Sequence, residues 1–118
     1  MGELREVARL ADLPVGGVVS VPFEGDQVAI FNVDGELHAI ADVCPHAAAP
    51  LSDGKLEHGR VRCKWHGALF ELATGELIEG PGSAVPTYRV EVDGDRILLE
   101  VPETRPWTAA PRSEGDGR

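Results

Sequence analysis

The sequence predicts an all-β domain of antiparallel strands, on two turn signals and one missing periodicity. Asp34-Gly35 joins the strand-length run 27–33 to Glu36-Leu37-His38-Ala39-Ile40, and Asp93-Gly94 joins the alternating run Tyr88-Arg89-Val90-Glu91-Val92 to residues 96–101. Asp-Gly between strand-length runs is a strong hairpin signal. No window repeats apolar residues at i, i+3, i+4 and i+7, so no long amphipathic helix is expected. Short strands at regular turn spacing point to a sandwich or barrel.

Taken in order, a short apolar alternation from Leu4 is punctuated by Pro14 and Gly16-Gly17, and the β-branched run Val18-Val19-Ser20-Val21 is expected to end at Pro22. Such a pattern reads as strand, turn, strand. The first Asp-Gly hairpin follows. A further turn at Thr74-Gly75 separates Ala68-Leu69-Phe70-Glu71-Leu72 from Glu76-Leu77-Ile78, and the second Asp-Gly hairpin closes the β region. From Thr104 the chain runs through Pro106, Pro111, Gly115 and Gly117 with Trp107 as its main apolar side chain. The expected organisation is one domain over 1–103 and a loose tail over 104–118.

The 118 residues suffice for one core and not for two domains of ordinary size. Twenty acids against eleven Lys plus Arg leave a formal charge of −9, which disfavours binding to nucleic-acid phosphates or anionic lipid. Residues 1–41 carry seven acids and two bases, whereas 42–81 carry six and four. No apolar run approaches a membrane span, and Glu3 and Glu6 stand where an export signal would be basic. A soluble, cytoplasmic protein is therefore expected. Both cysteines fall within one motif pair, leaving none for a structural disulfide.

That pair is Cys44-Pro45-His46 and Cys63-Lys64-Trp65-His66, separated by sixteen residues. The CxH and CxxH spacing differs from a zinc finger, where paired cysteines precede paired histidines. Thiolate and imidazole both suit iron, and two of each can hold a two-iron, two-sulfide core. Two ferric ions, two sulfides and two cysteinates sum to a neutral centre, whereas four cysteinates leave a dianion that accepts an electron less readily. Two imidazoles thus raise the potential to roughly −150 to +300 mV, against about −400 mV for an all-cysteine plant-type cluster. Three other readings stay open at this point: a structural zinc site, for which the one-residue CxH gap is unusual; a Cys63–His66 nucleophile and base, with no orienting group suggested nearby; and unrelated buried cysteines beside surface histidines. His38 lies in an alternating strand and His58 in a charged turn, and neither is expected to be a ligand.

Cys44-Pro45-His46-Ala47, Leu51-Ser52-Asp53-Gly54, Cys63-Lys64-Trp65-His66-Gly67-Ala68-Leu69-Phe70 and Thr74-Gly75 together resemble the bacterial Rieske-type [2Fe-2S] ferredoxins, the small components of multicomponent aromatic-ring dioxygenases. The resemblance covers about 3–103 and is strongest over 42–82. It implies a Rieske-type antiparallel β-sandwich with a cluster-binding subdomain, about 42–82, at one end. It implies one [2Fe-2S] cluster, with Cys44 and Cys63 on the inner iron and His46 and His66 on the outer iron near the surface. Gly80-Pro81-Gly82 matches the family's proline loop over the cluster, although the same residues read alone make a plain turn.

High-potential respiratory Rieske proteins carry Ser and Tyr hydroxyls, which hydrogen-bond cluster sulfurs, where this chain has Ala68 and Phe70. They also have an extra disulfide that this chain lacks, so the resemblance implies a low potential within the Rieske range. The ferredoxins commonly have Pro after the second Cys, where Lys64 stands here; a solvated lysine and a docking cation are its two readings. Trp65 suits either the cluster loop or a docking face. The implied function is one-electron transfer from an NAD(P)H-dependent flavoprotein reductase to a terminal oxygenase, by a monomer with no catalytic residue of its own. The alternative is the small Rieske subunit of an assimilatory nitrite reductase complex.

Overall fold

The computed structural model describes residues 3–44, 49–64, 67–80 and 82–101. The tail expected over 104–118 lies outside them. The described residues form three antiparallel sheets. One outer sheet holds β1 (Leu4–Arg9), β11 (Arg96–Glu100) and β10 (Val90–Asp93), in that order. A second sheet orders β2 (Val18–Phe23), β3 (Asp26–Val33), β4 (Glu36–Ala41) and β9 (Thr87–Tyr88). The third, built from the motif region, orders β5 (Lys55–Glu57), β6 (Arg60–Arg62), β7 (Leu69–Glu71) and β8 (Leu77–Glu79). Helical structure among the described residues is confined to two 3-10 turns, Leu10–Asp12 and Leu51–Asp53.

The sheet of β2, β3, β4 and β9 is the central layer, and β3 shows why. Val28 and Ile30 pack with Ile97 and Leu99 of the outer sheet in one buried cluster, while Ala29 and Phe31 pack with Val61 and Phe70 of the motif sheet in another. A strand covered on both faces loses the polar half of its alternation. The apolar run Val28-Ala29-Ile30-Phe31 follows from that. Asn32, also buried, stays in the strand because its side-chain amide donates to the Leu13 carbonyl at 2.9 Å and its side-chain oxygen accepts from the Gly35 N–H at 2.8 Å.

Three expectations need correction. Pro22 does not end β2: the strand runs on to Phe23, with Pro22 exposed and opposite Gln27. β2 is an edge strand, where a missing N–H is tolerated. The run expected as one strand from Tyr88 to Val92 divides at Arg89: Tyr88 pairs with Ala39 in the central sheet and Val90 with Leu99 in the outer one. Tyr88 is fixed there by an edge-to-face contact with Phe23, ring centres 6.0 Å apart. Finally, Asp93 pairs with Arg96, so the second hairpin turns on Gly94 and Asp95. The Asp34-Gly35 turn is as expected, with φ of 54° and 96°, and Glu24-Gly25 and His58-Gly59 adopt the same left-handed pair.

Candidate metal centre

Cys44 follows β4, the last long strand of the central layer, and Cys63 follows β6 of the motif sheet. Both are buried, neither forms a disulfide, and they belong to one apolar cluster with Ala49, Leu51, Ala68 and Phe70. The same closure shapes both loops. The Cys44 N–H donates to the Ala49 carbonyl and the Cys63 N–H to the Ala68 carbonyl, each at 2.7 Å and each spanning five residues. Both alanines are themselves buried. The likeness was present in the sequence as Cys44-Pro45-His46-Ala47-Ala48-Ala49 and Cys63-Lys64-Trp65-His66-Gly67-Ala68, but differing ligand spacing hides the common loop length.

Each loop is also anchored by a charged side chain at its base. The carboxylate of Asp42 is buried at the end of β4's path and accepts from the Ser52 N–H at 2.7 Å, the Ser52 hydroxyl at 2.8 Å and the Ser20 hydroxyl at 2.5 Å. Asp42 thereby ties Ser52 to β2 directly beside the start of the Cys44 loop. In the second loop the Gly67 N–H donates to the Cys63 carbonyl at 3.0 Å, and Gly67, at φ 73°, turns its own carbonyl toward Arg62, whose Nη1 donates to it at 2.9 Å. Nε and Nη2 of Arg62 hold the two oxygens of Glu57 at 3.1 and 3.3 Å. This ion pair raises the Arg62 pKa, and the hydrogen bond from Arg62 holds Glu57 below the usual carboxylate range. Neither Asp42 nor Arg62 was singled out from the sequence; Asp42 had a signal, a carboxylate two residues before the first Cys with Ser52 downstream.

Gly80 stands against the second loop. A Cβ there would lie 2.8 Å from the Ala68 Cα, and its φ of 95° also disfavours a side chain. Of the expected proline loop, Gly80 and Gly82 are described and Pro81 is not; His46, Trp65 and His66 likewise lie outside the described residues. His38 and His58, both described, are not among the residues of this cluster: His38 is opposite Phe31 in the central sheet and beside Glu36 at 3.7 Å, and His58 is in the turn between β5 and β6.

Two buried thiols in one apolar cluster suit a soft metal bound through thiolate, and a [2Fe-2S] core fits this donor chemistry. Ala68 and Phe70, wholly buried beside the cysteines, bring no hydroxyl to the cluster they share.

Comparison with known proteins agrees. The chain is 33% identical over 97 residues to the ferredoxin component of the naphthalene 1,2-dioxygenase system of Pseudomonas aeruginosa, covering 81% of this chain and 93% of that protein. Its fold is similar to that of the ferredoxin of carbazole 1,9a-dioxygenase from Nocardioides aromaticivorans, with a TM-score of 0.78, 30% identity and coverage of 82% and 96%. It is similar also to a protein assigned as an NADH-dependent nitrite reductase small subunit of Mycobacterium tuberculosis, with a TM-score of 0.79, 26% identity and coverage of 88% and 99%. No helix among the described residues is long and apolar enough to cross a membrane. The Rieske [2Fe-2S] domain model matches residues 3–89, and with the two buried cysteines in their matched loops the chain belongs to the Rieske [2Fe-2S] domain family.

Proposed function

We propose that the protein is a one-electron carrier of an aromatic-ring dioxygenase system, a single Rieske domain over 1–103 that takes an electron from a flavoprotein reductase and passes it to a terminal oxygenase. In this reading Cys44 and Cys63 are thiolate ligands to one iron, and His46 and His66 are imidazole ligands to the other. The bound [2Fe-2S] group supplies a reversible one-electron couple. The chain's part is to hold the ligands and set their surroundings. The loop closures at Ala49 and Ala68 keep the two Cys backbones fixed as the charge changes, and the apolar packing of Leu51 and Phe70 keeps water from the sulfurs.

The observation that carries this reading is the coincidence of both cysteines in one buried cluster with Ala68 and Phe70. A thiolate pair packed with Ala68 and Phe70, neither of which carries a hydroxyl, suits the low end of the Rieske range, where a reductase can donate and an oxygenase accept. The ferredoxin relatives match over 93% and 96% of their own length, which supports the carrier reading. Lys64, exposed beside Cys63, is then placed to meet a partner near the ligand loop. Two reduced cysteines reserved for iron suit a cytoplasmic setting.

The test is a redox titration of the purified protein followed by EPR, with iron and labile sulfide measured per chain. Two irons, two sulfides, a mixed-ligand signal and a low midpoint are expected. Cytochrome c reduction in the presence of NADH and a ferredoxin reductase then separates a free carrier from a subunit. A protein that copurifies in a fixed complex and gives no such reduction returns the nitrite reductase subunit reading, which the Mycobacterium tuberculosis likeness keeps in view.

A further inference from the structure

The Arg62 guanidinium touches three separate segments. It takes both carboxylate oxygens of Glu57 on β5, at 3.1 and 3.3 Å, donates to the Gly67 carbonyl in the second cysteine loop at 2.9 Å, and lies 3.4 Å from Glu79 at the end of β8. Glu79 immediately precedes Gly80, whose backbone packs against Ala68. Two adjacent bridges therefore join the cysteine loop to the segment entering the proline loop: Gly67 to Glu79 through Arg62, and Ala68 to Gly80 by direct backbone contact.

The ladder of the sheet is irregular at that place. β7 and β8 pair Leu69 with Glu79 and Phe70 with Leu77, so Ile78 is an extra residue and the register slips. A bulge of this kind interrupts the ladder that would otherwise set the distance between the strands. A side-chain clamp beside it supplies the missing constraint. The contacts also select arginine, because one planar fork meets two carboxylate oxygens on one edge and a carbonyl on the other, which a lysine ammonium cannot reproduce.

We propose that Arg62 is a positioning residue for the second ligand pair: through the Gly67 carbonyl and Glu79 it fixes the 63–67 loop against the segment beginning at Gly80. This rests on the ligand assignment of Cys63 and His66 made above. Arg60 provides an internal control. It pairs with Glu71 at 2.9 Å in the same sheet, with similar exposure, and among the described residues neither side chain hydrogen-bonds to the second cysteine loop. A general contribution of surface ion pairs to stability is small and would be shared by both arginines.

The experiment compares wild type, Arg62→Gln, Arg62→Lys and Arg60→Gln as holoproteins. Iron release to a chelator is followed by loss of visible absorbance, and the reduced-state EPR g-values and the midpoint potential are measured alongside. Arg62→Gln is expected to release iron about tenfold faster, a loss of about 1.4 kcal/mol in the barrier, and to shift or broaden the g-values. Arg62→Lys should fall on the same side of wild type, and Arg60→Gln should match wild type. Wild-type g-values and release in both Arg62 variants would overturn the proposal, as would equal acceleration in Arg60→Gln. If Arg62→Gln does not fold, Arg62→Lys decides by the same readouts. Failure of the ligand assignment itself shows separately, as wild-type protein without the mixed-ligand signal.

Discussion

Asp42 and Ser52 close the first cysteine loop: one carboxylate accepts both the backbone N–H and the hydroxyl of Ser52, at 2.7 and 2.8 Å, and reaches the Ser20 hydroxyl as well. The central sheet and the 3-10 turn that begins the motif region are thus joined by one buried side chain. Replacing Asp42 with Ala strands three donors, of which the Ser52 N–H cannot rotate away to water. We expect a loss of about 2–3 kcal/mol, with Ser52→Ala costing about 1 kcal/mol because its N–H bond survives. Urea denaturation midpoints at constant slope check this, and equal effects of the two substitutions would refute the ordering.

The Glu57–Arg62 pair makes an acid-side contribution to stability. Glu57 has its pKa lowered in the folded protein, chiefly by the hydrogen bond from Arg62. A carboxyl lowered on folding stabilises the folded state above its unfolded pKa, and that contribution is lost as pH falls through the folded value. For Glu57 the window lies below its ordinary value of 4.5. Glu57→Gln should flatten the decline of stability with acid in that window, and should change stability at pH 7 only slightly since both partners are partly exposed. Thermal midpoints from pH 3 to 7 for wild type and variant provide the measurement; parallel curves would sink the prediction.

The sequence made the β class and the cysteine loops legible because both rest on local chemistry: Asp-Gly turns, β-branched runs and ligand types at fixed spacing. What it hid depends on distant partners. Nothing within residues 88–92 says that Tyr88 joins Ala39 while Val90 joins Leu99, since the switch is decided by two different sheets. Pro22 looks like a strand end until the chain order places β2 at an edge. In the site, the cysteines were plain, whereas Asp42 and Arg62 act on Ser52 and Gly67 through folding that brings loops together. Glu24-Gly25 was missed as a hairpin turn because Glu is a less usual choice for a left-handed conformation than Asp or Asn, and the charged turn at His58 does not read as a hairpin because the strands it joins are only three residues each.

Gly80→Ala tests the close approach of two loops independently of charge. The added Cβ would meet the Ala68 Cα at 2.8 Å and would sit at φ 95°. Backbone on one side and an unfavourable dihedral on the other leave no cheap relaxation. A destabilisation of roughly 1–3 kcal/mol is expected, together with faster iron release. Gly35→Ala, at a similar φ of 96° but with nothing within 4 Å of the added atom, isolates the dihedral component. Equal urea midpoints for the two variants would show that the contact with Ala68 contributes nothing.

The low-potential reading depends on what Ala68 and Phe70 do not offer. Both are wholly buried in the cluster that holds Cys44 and Cys63. A hydroxyl donated toward a sulfur favours the reduced state, which carries the extra negative charge. Ala68→Ser and Phe70→Tyr are therefore each expected to raise the midpoint, and the double variant to raise it further. The tyrosine hydroxyl, if left without an acceptor in this apolar setting, would cost about 1–3 kcal/mol of stability. Potential and stability consequently separate two outcomes: a raised midpoint with stability retained means that the new hydroxyl has found a sulfur, whereas an unchanged midpoint with lost stability means that these positions do not face the cofactor and that the low potential must have another cause.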